Sequence, residues 1–267
     1  MAETTAFNDG SAGDVDYGTA GLRYAEFRQP EPAIASQIWN ALSANQRHPE
    51  KMRVLNVGAG AGSYEPRNCE VVPVEPSATM RAQRPGHLSV AIDATAENLP
   101  FENGAFDAAM ATFTVHQWRD LEQGIAELKR VTRGNIVIMA ADPERLHDFW
   151  ISDYFPDPLD VELSRFPRID RIVELLGATS VETVPIPLMC RDGFTEAYYG
   201  RPERFLEPAV TGAMSSWTLV DQNDVARFRE RLGRDLADGT WDERYSHLRT
   251  QPNYAGSLRL IIRERTS

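Results

Sequence analysis

The chain has 267 residues, enough for one sizeable core, and it is 42% hydrophobic and 25% charged, as in globular proteins. Its net charge of −11 argues against nucleic acid or anionic membranes as partners, because both attract clustered lysine and arginine. Two cysteines are too few for a disulfide framework or a zinc site, and no apolar run could span a bilayer. The first ten residues lack the basic start and apolar run of a signal peptide, so we expect a cytoplasmic protein. We also expect no metal site.

Strand and helix patterns alternate along most of the chain. Apolar positions at helical spacing predict a first helix over residues 32–44, after a mobile tail at 1–16. Short apolar runs predict seven strands, at 54–57, 71–75, 88–92, 106–111, 135–139, 181–186 and 257–263. Helices are predicted at 76–84, 121–131, 169–176 and 225–236. This alternation predicts an α/β fold with a mainly parallel sheet and right-handed crossovers.

A long segment, residues 188–250, interrupts the pattern before the last strand. It is rich in aromatic residues, and an insertion of this length beside a ligand edge is a candidate lid. Several acidic and tyrosine side chains are candidates to face the ligand cavity, although such residues are more often structural. They are Asp192 and Tyr198 or Tyr199 within this segment, and Asp153 and Tyr154 before it.

Glycines alternate with alanines directly after the first predicted strand, at Gly58, Gly60 and Gly62. A glycine-rich turn at the carboxyl end of a strand lets a ligand lie against the backbone, because no Cβ intervenes. The spacing is GxGxG instead of GxGxxG, since Ser63 occupies the position at which a dinucleotide fingerprint has its third glycine.

Two acidic residues end the next two predicted strands. Glu75 follows Gly58 by 17 residues, where a carboxylate can accept both ribose hydroxyls; the alternative is a surface acid at a strand end. Asp93 could accept an adenine amino group while the Ala94 N–H serves a ring nitrogen, or it could cap the following helix. Met80, one helical turn beyond Glu75, could pad the adenine or belong to the core.

His116 is the candidate catalytic residue, in the segment that follows the fourth predicted strand. A histidine can act as general base or polarise an acceptor atom near neutral pH, although it can equally pack in the rim of the site. The other four histidines lack metal-ligand spacing, and no nucleophile elbow or Walker loop occurs.

The order of these motifs resembles the class I S-adenosylmethionine-dependent methyltransferases, in the small-molecule branch related to the ubiquinone and menaquinone biosynthesis enzymes. Residues 53–140 carry the resemblance, with Val-Leu-Asn-Val-Gly-Ala-Gly-Ala-Gly, Val-Val-Pro-Val-Glu-Pro-Ser, Ala-Ile-Asp-Ala-Thr-Ala-Glu-Asn-Leu-Pro-Phe and Phe-Asp-Ala-Ala-Met-Ala. It implies a Rossmann-like sheet of seven strands in the order 3-2-1-4-5-7-6, numbered along the chain, with the last strand antiparallel. It also implies one methyltransferase domain over residues 17–267.

The resemblance also assigns residues to the cofactor, S-adenosylmethionine. Its methionine part would lie near Gly58, Gly60 and Gly62, its ribose on Glu75, and its adenine beside Asp93 and Ala94, padded by Met80. Tyr24 and Arg28 resemble the cover segment, here residues 17–50, that meets the cofactor carboxylate, and Thr112 matches a position near its amino group. Asn56 stands where the family usually has an acid, and the helix after the glycine turn is expected to be unusually short.

We therefore expect methyl transfer to a small aromatic or apolar acceptor by in-line displacement, in which alignment and exclusion of water are the main tasks. One alternative is a nicotinamide-dependent reductase, which the missing GxGxxG spacing disfavours. The other is a non-catalytic protein that binds S-adenosylmethionine. The acceptor, the methylated atom and the oligomeric state are left open by the sequence.

Overall fold

The computed structural model describes residues 27–265, which form an α/β fold around a six-stranded sheet. The sheet order is β2-β1-β3-β4-β8-β5. The first four strands in this order are mutually parallel, while β8 runs antiparallel to both β4 and β5. The six strands are β1 (Arg53–Val57), β2 (Glu70–Val74), β3 (Phe106–Thr112), β4 (Thr132–Ala141), β5 (Ser180–Thr183) and β8 (Leu258–Arg263). A separate antiparallel pair is formed by β6 (Ile186–Pro187) and β7 (Asn253–Tyr254).

The central strands are apolar on both faces because helices cover both sides of the sheet. Successive residues of a strand point to opposite faces, so Val54 joins the core on one side and Leu55 the core on the other. The helix α1 (Pro32–Ser43) packs with the first core through Ile34, Ile38 and Leu42. The second core contains buried side chains of α3 (Leu121–Val131) and α5 (Ile169–Leu176).

The remaining helices are short except for one. They are α2 (Ala78–Ala82), α4 (Asp157–Arg165), α6 (Pro208–Thr211), α7 (Ser215–Thr218), α8 (Gln222–Asp238) and α9 (Thr240–Tyr245). Ser77 caps α2 by accepting from the Met80 N–H, so Pro76 precedes the helix instead of lying in its first turn. The predicted short helix after the glycine turn does not form, because residues 61–69 make only turns and bends before β2.

The predicted third strand, residues 88–92, is wrong. This segment makes one bridge to the sheet, between Val74 and Ile92, and the Val90 side chain is 89% exposed. The Ile92 N–H donates to the Pro73 carbonyl at 2.9 Å, and the Ile92 carbonyl accepts from the Glu75 N–H, just after β2, at 3.0 Å. Pro73 has no N–H to continue the ladder toward residue 90, so the pairing stops after one residue. Without that strand, the predicted order of the other six is confirmed.

The segment 188–250 is a folded layer with an aromatic interior. It contains α6–α9 and three short 3-10 helices, Thr195–Tyr198, Pro202–Leu206 and Ser246–Arg249. Phe205, Trp217 and Trp241 are almost fully buried in the first core. The predicted tail at 1–16 lies outside the described residues, and no helix within 27–265 is both long and apolar enough to cross a membrane.

Candidate functional site

The glycine turn after β1 is closely packed on one side. Gly58 and Gly60 adopt positive φ angles of 68° and 50°, a conformation that glycine reaches without steric cost. A Cβ on Gly58 would lie 1.9 Å from Oγ1 of Thr114, and one on Gly60 would lie 3.3 Å from Cε of Met80. The turn therefore requires glycine at Gly58 for both its conformation and the space available.

Glu75 lies directly after β2 and is buried beside this turn. Its Oε2 accepts a hydrogen bond from the Gly60 N–H at 2.8 Å, and its Oε1 accepts one from the Ser77 N–H at 2.9 Å. Burial raises the pKa of this carboxyl group above its ordinary value, although the two backbone donors act in the opposite direction. Each carboxylate oxygen can still accept a further hydrogen bond.

A cleft of about 850 Å³, which includes space open to solvent, lies against the glycine turn. Seven of the predicted cofactor residues line it: Arg28, Gly58, Gly60, Glu75, Met80, Ala94 and Thr112. The structure thus brings together residues from the start of the described chain and from the ends of β1, β2 and β3. Tyr24 lies outside the described residues.

Two predicted cofactor residues, Gly62 and Asp93, do not line this cleft. A Cβ on Gly62 would lie 2.3 Å from Cδ1 of Leu88, so this glycine allows the turn to pack against residues 88–92 instead. The Asp93 side chain is 70% exposed and accepts a hydrogen bond from Nη2 of Arg81 at 3.0 Å. Asp93 still immediately precedes Ala94 at the cleft, and its contact with adenine stays a prediction.

Arg28 lies at one side of the cleft, where it contacts a residue that is distant in the sequence. Its guanidinium pairs with the buried carboxylate of Asp192, and Asp192 also accepts a hydrogen bond from the Tyr64 hydroxyl at 2.7 Å. The Arg28 guanidinium lies 5.0 Å from the centre of the Phe113 ring. This pairing joins the start of the described chain to the glycine turn and to the segment 188–250.

Asn56, at which the resemblance leads one to expect an acid, lies beneath the turn. Its Nδ2 donates to Oε1 of Glu65 at 3.0 Å, and Glu65 forms a buried ion pair with Arg84. Arg84 also donates to the Gly60 carbonyl at 3.3 Å. Asn56 is absent from the cleft lining formed by residues 27–265, so it supports the turn through this network.

A second cavity of about 840 Å³ adjoins the cleft and shares Arg28 and Phe113 with it. His116 lines this cavity instead of the cleft, and its ring centre lies 4.6 Å from that of Phe166. Asp192 lines the first cleft, whereas Asp153, Tyr154, Tyr198 and Tyr199 line neither space.

Two glutamates that the sequence interpretation missed, Glu162 and Glu196, also line the second cavity. Glu162 accepts hydrogen bonds on Oε1 from the hydroxyls of Ser216, at 2.7 Å, and Thr195, at 3.3 Å. Burial raises the pKa of both carboxyl groups, in the case of Glu196 to about 7. An acid within the aromatic run Phe-Thr-Glu-Ala-Tyr-Tyr was a local signal for Glu196, because isolated acids are costly among buried apolar groups.

Across residues 27–265, no group of three or more His, Cys, Asp or Glu side chains is arranged to hold a metal ion. The site consists of a glycine-walled cleft with two buried carboxylates, Glu75 and Asp192, and an adjoining aromatic cavity with two carboxyl groups.

Comparison with known proteins gives a consistent result. Residues 55–139 match the family model described as methyltransferase domain. A chloroplastic 2-methyl-6-phytyl-1,4-hydroquinone methyltransferase of Oryza sativa subsp. japonica is 28% identical over 51% of this chain, which spans only 40% of the rice protein. A malonyl-(acyl-carrier protein) O-methyltransferase of Halorhodospira halophila is 24% identical, over 86% of this chain and 76% of that protein. A crystal structure from Anabaena variabilis, described provisionally as a methyltransferase from an antibiotic biosynthesis pathway, superposes with a TM-score of 0.81 at 28% identity. That superposition covers 88% of this chain and 98% of the other.

Proposed function

We propose that this chain is a class I S-adenosylmethionine-dependent methyltransferase and that it methylates a small molecule bound in the second cavity. The observation that carries this proposal is the buried Glu75 carboxylate, which is hydrogen-bonded to the glycine turn and faces a cleft that opens beside an aromatic cavity. A donor site and an acceptor site that share a wall suit a reaction between two bound molecules.

The residues of the cleft fit S-adenosylmethionine. Gly58 and Gly60 present bare backbone, and Glu75 keeps acceptor positions for the ribose hydroxyls. We assign the adenine to Asp93 and Ala94, padded by Met80, and the methionine part to the turn from Gly58 to Gly62. Thr112 would lie near the cofactor amino group, and Tyr24 and Arg28 near its carboxylate.

When bound, S-adenosylmethionine supplies a sulfonium methyl group, and the electron pair of the broken S–C bond stays on sulfur as the acceptor bonds to carbon. The chain contributes alignment of the acceptor and exclusion of water. We propose His116 as the base for an acceptor that must lose a proton, because His116 lines the second cavity.

The segment 188–250 fits a lid over the acceptor. Residues 194–196, 212–215 and 218 of this segment form much of the second cavity wall, and Asp192 holds Arg28 at the boundary with the cleft. The acceptors named for the two relatives differ, so they do not choose one for this chain. The two free cysteines support the proposal of a reduced, cytoplasmic location.

Titration calorimetry with S-adenosylhomocysteine and with NADH tests the cofactor. We expect S-adenosylhomocysteine to bind and Glu75→Gln to weaken it by about 10- to 100-fold, the effect of losing one charged hydrogen-bond acceptor. Glu70→Gln, which changes an exposed glutamate of the preceding strand, is the matched control. Tight binding of NADH without binding of S-adenosylhomocysteine would reject the proposal in favour of a reductase.

An assay for S-adenosylhomocysteine release over aromatic and amine acceptors separates an enzyme from a non-catalytic binder. Turnover with any acceptor supports the enzyme. Tight cofactor binding with no turnover across a broad panel would favour a binding protein.

A further inference from the structure

We propose that the acceptor is a cationic amine on an apolar skeleton and that the Glu162 carboxylate is its counter-ion. This inference rests on the proposed function, because it concerns the acceptor site of the same reaction. It follows from the walls of the second cavity, from the charges that face it and from the hydrogen bonds of its two glutamates.

The cavity walls combine aromatic rings with apolar side chains. Phe113, Phe166 and Phe194 line it, with the Phe113 and Phe194 ring centres 5.4 Å apart, and Leu146 and Met214 add apolar surface. Aromatic faces attract ammonium groups through the ring quadrupole, and the attraction increases where water is excluded. Such walls favour an apolar ligand that carries a cation over one that carries an anion.

The ionisable side chains that line the cavity are two carboxyl groups, one guanidinium and the His116 imidazole. Arg28, Glu162 and Glu196 line it, and Arg28 is already paired with Asp192. The positive charges of Arg165 and Arg28 lower the pKa of Glu162, but burial has the larger effect and raises it. A bound cation would remove the cost of ionising Glu162 in this setting.

Glu162 is the better placed of the two carboxyl groups to meet a ligand. Glu196 is 4% exposed, and its two oxygens accept from the N–H and hydroxyl of Ser257 at 2.6–3.1 Å. Glu162 is partly exposed although protein surrounds it, as expected for a residue whose side chain faces a cavity. Its bonds from Thr195 and Ser216 both end on Oε1, so they orient the carboxylate while Oε2 can accept from the ligand.

An ammonium nitrogen has no lone pair, so it must release one proton before it can accept a methyl group. His116, the proposed base, lines the same cavity and can take that proton. The methylated product is again a cation, and it stays paired with Glu162 until it leaves. A carboxylate acceptor would instead meet the Glu162 charge, and an alcohol would leave that charge uncompensated.

The test compares three ligands of similar size on the protein saturated with S-adenosylhomocysteine, at about pH 8, where an alkylamine is protonated. The probes are 2-phenylethylamine, 2-phenylethanol and phenylacetate, titrated by calorimetry. We expect the amine to bind about tenfold or more tightly than the alcohol, as for a partly buried charged hydrogen bond, and phenylacetate to bind most weakly.

Glu162→Gln should abolish the preference for the amine while leaving S-adenosylhomocysteine affinity unchanged. Glu122→Gln, at an exposed position on α3, should keep the preference. If Glu162→Gln does not fold, the ligand comparison on the unchanged protein still decides. Equal or tighter binding of the alcohol or phenylacetate, or no binding of the amine, overturns the inference. A protein that does not bind S-adenosylhomocysteine fails the proposed function instead.

Discussion

The ionisation of Glu196 should make the protein less stable as the pH rises through neutrality. This carboxyl group is 4% exposed, and burial is the largest cause of the rise in its pKa from 4.5 to about 7; the negative charge of Glu162 adds to it. Hydrogen bonds from Ser257 and the charge of Arg259 lower the pKa but do not cancel the effect of burial.

The sign follows from proton binding. Between about pH 4.5 and 7 the folded protein holds the Glu196 proton while the unfolded chain releases it, so raising the pH favours unfolding. A difference of about 2.5 pH units, at about 1.4 kcal/mol each, gives roughly 3 to 4 kcal/mol. This stabilisation is fully present below the unfolded pKa and is lost by the time the pH exceeds the folded pKa.

Urea unfolding of the unchanged protein and of Glu196→Gln, followed by tryptophan fluorescence over this pH range, measures the effect. Glutamine does not titrate, so the free energy of unfolding of the unchanged protein should fall by roughly 3 to 4 kcal/mol relative to the variant as the pH rises. Glu122→Gln, at an exposed position, should give a difference that does not vary with pH. A constant difference for Glu196→Gln would falsify the proposed pKa and hence the buried environment behind it.

Two further substitutions test the cleft. Gly58→Ala places a Cβ 1.9 Å from Oγ1 of Thr114 at a φ of 68°, so calorimetry should show about a 100-fold loss of S-adenosylhomocysteine affinity, whereas Gly86→Ala, in open space, should bind normally. Tyr64→Phe removes the 2.7 Å hydrogen bond to Asp192 and should lower the free energy of unfolding by about 2 kcal/mol in urea; an unchanged midpoint and slope would show that this bond contributes nothing.

The sequence was sufficient where local patterns decide the outcome. The apolar strands, the amphipathic helix α3 and the glycine spacing specified a sheet whose strands and order are confirmed except at residues 88–92. Gly58, Gly60 and Glu75 meet at one cleft because the carboxyl ends of adjacent parallel strands share one edge of the sheet. That rule depends only on strand order, which periodicity can indicate.

The sequence-based prediction was wrong where a single residue prevented the structure that the local apolar pattern favours. Residues 88–92 have the apolar composition of a strand, but Pro73 cannot donate the next ladder bond. Gly62 is a different case: its free side faces Leu88 instead of the cleft, and its part in the cofactor site stays a prediction.

The sequence by itself determined the sheet and the place of a nucleoside-type cleft, because strand period and glycine spacing are local properties. Only the tertiary structure decided the second cavity and the groups that line it. Arg28 meets Asp192 across 164 positions, and Glu162 meets Ser216 across 54, contacts that no periodicity encodes. The physical reason is that the charge and accessibility of a carboxyl group depend on which side chains surround it in the folded chain.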